Sequence, residues 1–62
     1  MNNVRRYRKA AGITQAELAS AVGKTTACIC QYETGLHNLP IPVAKKMAVV
    51  FRCKWNELYE DE

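Results

Sequence analysis

One tripeptide, Gly23-Lys24-Thr25, is typical of a phosphate-binding enzyme loop. It matches the last three positions of a P-loop, in which backbone amides and a lysine hold phosphate groups. A complete P-loop also needs a glycine five residues earlier and a strand before the loop. Position 18 is Leu18, within a segment whose pattern predicts a helix, so we expect no P-loop here.

Other side chains that could do chemistry are also poorly placed for it. His37 is the one histidine, and no nucleophile or carboxylate stands at a recognisable spacing from it. The run Glu60-Asp61-Glu62 is typical of a solvated acidic end rather than of a catalytic pair. We therefore expect that the protein is not an enzyme.

The three cysteines, Cys28, Cys30 and Cys53, are an odd number. The chain starts with Met1, two asparagines and then charge, which is unlike an export signal, so we expect free thiols in a reducing cytoplasm. On a helix, Cys28 and Cys30 would point to opposite faces and could not easily share a metal ion. We expect neither a metal site nor a cofactor.

Charge is unevenly distributed along the chain, whose net charge is +3. Residues 1–9 contain four basic side chains and no acid, whereas residues 57–62 contain four acids and no base. One end could face a polyanion, although charge alone favours a solvated helix face. The 62 residues predict one domain, 1–62, with a small core, and no apolar run approaches the roughly 18 residues that span a membrane.

The elements that position these side chains are predicted to be five short helices in a compact all-α bundle. The first covers about Asn3 to Ala11, with Val4, Tyr7 and Ala11 facing inward. The second covers about 14–22, because Thr14 and Glu17 predict a capping box at its start.

The third helix is predicted over about 25–34, with Ile29, Tyr32 and Glu33 facing inward. Pro40 and Pro42 fit the start of a fourth helix. Its inner stripe consists of Val43, Ala44, Met47, Ala48 and Phe51. A last short helix, from about Trp55 to Glu60, is expected to bring Trp55 and Leu58 onto the core.

The predicted turn between the second and third helices is about three residues long and contains Gly23. Two helices joined in this way must cross steeply, and the second then projects from the body. This geometry suits the major groove of DNA. The run from Gln15 to Gly35 resembles the helix-turn-helix of the lambdoid phage repressor and Cro proteins. The resemblance extends over nearly the whole chain. It includes Arg8-Lys-x-x-Gly-Ile-Thr-Gln15 at the start of this run and Lys46-Met-Ala48 to Leu58 after it.

The resemblance implies a Cro-like phage or prophage repressor that binds operator DNA as a homodimer, in the bacterial cytoplasm and on the nucleoid, with no small-molecule ligand and no membrane partner. It assigns base contacts to Thr26, Ala27 and Gln31, whose side chains can pair with adenine or contact a thymine methyl group. It assigns a contact with the DNA backbone to Gln15. Further candidates for such contacts are Lys24, Thr25, His37 and Asn38, although a lone loop histidine is more often simply exposed. Lys24 departs from the apolar residue common there, and an exposed turn lysine is an equal alternative.

The resemblance also implies a structural ion pair between Arg8 and Glu33, which would join the first helix to the third. Core packing is the expected role of the last three apolar residues, and the alternative is that they are dimer contacts: Trp55, Leu58 and Tyr59. A protein-interaction module on the same fold, antitoxin-like or an anti-repressor, is the alternative function.

Overall fold

The computed structural model describes residues 2–59, and within that range it contains helices and no strands. The elements are α1 (Val4–Ala10), α2 (Gln15–Val22), α3 (Thr26–Thr34), α4 (Ile41–Phe51) and a 3₁₀ helix (Trp55–Tyr59). The predicted all-α class is confirmed. None of the helices in the described range has the length and apolar character needed to cross a membrane.

The last element differs from its prediction. The expected fifth α-helix, from about Trp55 to Glu60, is instead the 3₁₀ helix, and Glu60 lies outside the described residues, as does the rest of the acidic end. The N–H of Glu57 donates to the carbonyl oxygen of Lys54, three residues back, at 3.1 Å. A helix of five residues has room for few α-type bonds, and the tighter 3₁₀ form is common at this length.

The start of α2 is set by a capping box, as predicted. The hydroxyl oxygen of Thr14 accepts a hydrogen bond from the N–H of Glu17 at 3.1 Å, and the Glu17 carboxylate accepts one from the N–H of Thr14 at 2.9 Å. The helix ends at Gly23, whose φ of 73° lies in the left-handed region that favours glycine. The N–H of Lys24 then donates to the carbonyl oxygen of Ala19 at 2.9 Å, which turns the chain sharply.

α3 begins after only three connecting residues, 23–25. The hydroxyl oxygen of Thr25 accepts a hydrogen bond from the N–H of Cys28 at 3.1 Å and so caps the helix. Gly35, with a φ of 81°, ends it. Local signals at both ends therefore define the length of α3 and the turn before it.

Every helix contributes to one apolar core. Its buried members are Val4, Leu18, Ala19, Val22, Ile29, Tyr32, Leu39, Val43, Ala44, Met47 and Leu58. Leu58 is fully buried, and its carbonyl oxygen accepts a hydrogen bond from the N–H of Asn3 at 2.9 Å, so the 3₁₀ helix packs beside the start of α1. Ala11, which was predicted to face inward, is exposed because it lies beyond the last turn of α1.

Candidate nucleic-acid interface

α3 has one face in the core and one in solvent. Ile29, Tyr32 and Glu33 are buried, and Ile29 has no exposed area. The opposite side, here called the outer face of α3, consists of Thr26, Ala27, Cys30, Gln31 and Thr34; all are exposed except Gln31, which is half-buried. The outer face carries no charged side chain.

The three predicted base-contacting residues lie together on this outer face. Thr26 and Ala27 occupy the first turn of α3, and Gln31 follows Ala27 by four residues, the spacing that places two side chains on one side of a helix. Cys30 follows Thr26 by the same interval and is exposed, whereas Cys28 is half-buried against the core. The sequence left open which cysteine borders the outer face, and the structure places Cys30 there.

The inward side of α3 is held by an ion pair between Arg8 and Glu33. The Nε atom of Arg8 donates to Oε2 of Glu33 at 2.6 Å, and Nη2 donates to Oε1 at 3.3 Å. The two side chains are only 12% and 4% exposed. The Nη1 atom of Arg8 also donates to the carbonyl oxygen of Ile13 at 2.9 Å, so the guanidinium group bridges α1, the segment before α2, and α3.

Gln15 joins the same cluster, which sequence reasoning missed. Its Nε2 atom donates to Oε1 of Glu33 at 3.1 Å, and Glu33 therefore contacts side chains from both α1 and α2. No sequence signal pairs these residues, because they are far apart in the chain and only the crossing of α2 and α3 brings them together. The bond leaves the second N–H of the Gln15 amide available to another acceptor.

The remaining candidates for contact with a DNA backbone lie in two loops. Lys24 and Thr25 are exposed in the turn between α2 and α3, and His37 and Asn38 are exposed after α3. The tripeptide that resembled part of a P-loop is this turn: Gly23 ends one helix and Thr25 caps the next. It therefore lacks the preceding strand that a P-loop requires.

The comparison with known families decides the identity. A family model described as helix-turn-helix matches residues 4–58, from the first residue of α1 to the buried leucine of the 3₁₀ helix. The chain belongs to the Cro/C1-type helix-turn-helix family. The resemblance given by the sequence is thus confirmed, and this Cro/C1-type protein is a DNA-binding transcriptional regulator, of a family that is not enzymatic. No curated protein sequence matches the chain.

The candidate dimer contacts of this Cro/C1-type protein differ in their exposure. Leu58 is fully buried in the protomer's own core, which agrees with the expected core packing and leaves it no surface to offer as a dimer contact. Trp55 was expected on the core but lies at its rim; its ring and that of Tyr59 are each 37% exposed and meet edge to face, with centroids 6.0 Å apart.

The cysteines of the Cro/C1-type chain are free thiols. Among residues 2–59, no cluster of side chains could hold a metal ion. A hydrogen bond with Cys28, together with burial, raises the pKa of Tyr32, so this core phenol is neutral at physiological pH.

Proposed function

We propose that this Cro/C1-type chain is a phage or prophage repressor that binds operator DNA as a homodimer, with α3 of each copy in successive major grooves about 34 Å apart. The observation that carries the proposal is the contrast between the two sides of α3. Its outer face is exposed and uncharged, while the buried Arg8–Glu33 pair holds its inner side to the body. Repression follows by occlusion of a promoter in the bacterial cytoplasm.

Base recognition is assigned to Thr26, Ala27 and Gln31. A glutamine amide can donate to and accept from the edge of adenine, and the methyl groups of threonine and alanine can contact the methyl group of thymine. The position of these side chains on one helix face, with Thr26 and Ala27 exposed and Gln31 half-buried, supports this assignment.

Contacts with phosphate groups are assigned to Gln15, Lys24, Thr25, His37 and Asn38. Residues 15–34 contain one base, Lys24, against two acids, so most of these contacts use neutral donors. Each cationic phosphate contact adds affinity and salt dependence, and with so few of them a single copy should bind weakly. Pairing of two copies on one operator supplies the remaining affinity, with Trp55 and Tyr59 as exposed candidates for the contact.

The test is selection of binding sites from random DNA duplexes, followed by comparison of the native protein with Gln31→Ala on the selected site. We expect the variant to lose preference at one base pair in each half-site, worth about 1–3 kcal/mol. Lys46→Ala, an exposed change on α4, is the matched control and should retain the full preference. Unchanged specificity in Gln31→Ala would sink the base assignment.

Salt dependence tests the alternative class of function. Affinity for the selected duplex should fall as salt rises, because binding releases counterions from DNA. A chain that selects no site, and whose interactions are insensitive to salt, would instead be a protein-interaction module of the antitoxin-like or anti-repressor type.

A further inference from the structure

A recessed surface lies between the end of α4 and the start of the 3₁₀ helix. It is lined by Lys45, Ala48, Val49, Arg52, Cys53, Lys54, Trp55 and Asn56, and is here called the α4 groove. None of these residues belongs to the outer face of α3. The α4 groove is thus separate from the proposed base-reading surface. It shares Trp55 with the candidate dimer contacts, and a partner bound in the groove would leave Tyr59 as the exposed candidate for contact with a second copy.

The α4 groove has an apolar centre. Val49, in the last turn of α4, is 79% exposed, and Trp55 is 37% exposed. Covering these two side chains would remove apolar surface from water, which favours association. Together they can accommodate one apolar side chain of a partner.

The charged residues that line the α4 groove, within the part of the chain that the structure describes, are all cationic. They are Lys45, Arg52 and Lys54. Among the described residues, Glu57 lies beside the groove without lining it: its Oε2 atom accepts a hydrogen bond from the backbone N–H of Lys54 at 3.1 Å, and its one negative charge stands against three cations. The positive charge of the groove therefore favours a partner that supplies acidic side chains.

We propose that the α4 groove binds an acidic segment of a partner protein, whose single apolar side chain packs on Val49 and Trp55 while its carboxylates meet Lys45, Arg52 and Lys54. Such a contact would let a DNA-bound regulator engage another protein, because the groove and the outer face of α3 share no residue. The partner is defined by this chemistry: acidic side chains around one apolar anchor.

Two other occupants fit the α4 groove less well. Single-stranded nucleic acid binds largely by stacking bases on aromatic faces, but the Nζ atom of Lys45 lies over the Trp55 ring, 5.8 Å from its centroid. A second copy placed symmetrically would bring the same three cations against one another, which disfavours pairing.

Trp55 is the sole tryptophan, so its fluorescence reports directly on the α4 groove. The full chain is titrated at low salt with a synthetic peptide of aspartates and glutamates around one central phenylalanine. We expect a saturable shift of Trp55 emission to shorter wavelength. Lys45→Glu and Val49→Ser should each weaken binding roughly threefold to tenfold. Lys46→Glu, on the same helix but outside the groove, is the matched control and should change affinity much less.

Circular dichroism verifies that each variant is folded, which is expected because both altered side chains are exposed. The proposal is overturned if the peptide causes no saturable shift, or if the groove variants bind it as the native chain does. It is also overturned if single-stranded oligothymidylate gives the same groove-dependent shift. A shift that depends on protein concentration alone, and is lost in Val49→Ser, would assign the groove to a second copy instead. Operator binding is measured separately on DNA, so its failure and that of the groove are distinguishable.

Discussion

At the scale of single residues, Glu33 joins α3 to both α1 and α2. It lies on α3 but faces away from the outer face, and its two carboxylate oxygens accept hydrogen bonds from Arg8 and Gln15. A carboxylate that is 4% exposed is stabilised only while those donors remain. Glu33 thus fixes the orientation of α3 from the side opposite its outer face.

Removal of the arginine partner should therefore be costly. We expect Arg8→Ala to lower the free energy of unfolding by about 3 kcal/mol, since it leaves a buried carboxylate without its cation. Arg5→Ala, an exposed change on the same helix, is the control and should stay within about 0.5 kcal/mol of the native value. Urea unfolding measures both. A loss in Arg8→Ala no larger than that in Arg5→Ala would show that the pair contributes little to stability.

At the scale of the elements, the helix ends show how local chemistry sets the fold. α2 and α3 end on glycines in the left-handed region, whereas α4 ends on Arg52, with a φ of 57°. A side chain with a Cβ atom is strained in this conformation, and glycine is not. The end of α4 is thus the one described helix end at which a left-handed residue is not glycine.

Arg52→Gly should relieve this strain. We expect the free energy of unfolding to rise by up to about 1 kcal/mol, with the gain limited by the greater freedom of glycine in the unfolded chain. Arg52→Ala removes the same side chain but keeps the Cβ atom, so it should not be stabilised. The comparison by urea unfolding separates backbone strain from loss of the guanidinium group. A glycine variant no more stable than the alanine variant would contradict the argument.

At the scale of the whole molecule, three side chains that are neutral at physiological pH make the free energy of unfolding depend on pH in the alkaline range. Burial, with the nearby Glu57, raises the pKa of the Cys53 thiol. Burial also raises the pKa of Tyr59, whose hydroxyl donates to the carbonyl oxygen of Leu39. The pKa of Tyr32 is raised by its hydrogen bond with Cys28 and by burial. The folded chain holds each of these groups in its protonated form.

Stability should therefore fall at high pH. The unfolded chain releases these protons first, so the contribution is fully present below the ordinary thiol pKa of about 8.5 and is lost as pH rises through the raised values. We expect urea midpoints to be level from about pH 7 to 8 and to decline above about pH 9. Cys53→Ser should move the onset of the decline toward about pH 10, where tyrosines titrate. A midpoint that stays level to about pH 11 would contradict the expectation.

The sequence by itself determined the features that arise from residues close together in the chain. The capping box of Thr14 and Glu17 and the glycines after α2 and α3 involve bonds across a few residues, so their positions could be read directly. The order of these signals also identified the family. Helical spacing predicted which residues of α3 face inward, whereas Thr26, Ala27 and Gln31 came from the family resemblance, and their base contacts remain a proposal.

Only the tertiary structure decided which side chains meet across elements. It joined Gln15 to Glu33, buried Leu58, left Trp55 at the rim, and formed the α4 groove. It also set the last element as a 3₁₀ helix rather than an α-helix. These outcomes depend on how distant segments pack, and an apolar residue in a short terminal helix carries no local mark of whether it faces the core or solvent. The sequence pattern thus determined where the helices lie along the chain, and tertiary packing determined which of their side chains are buried, exposed or in contact with one another.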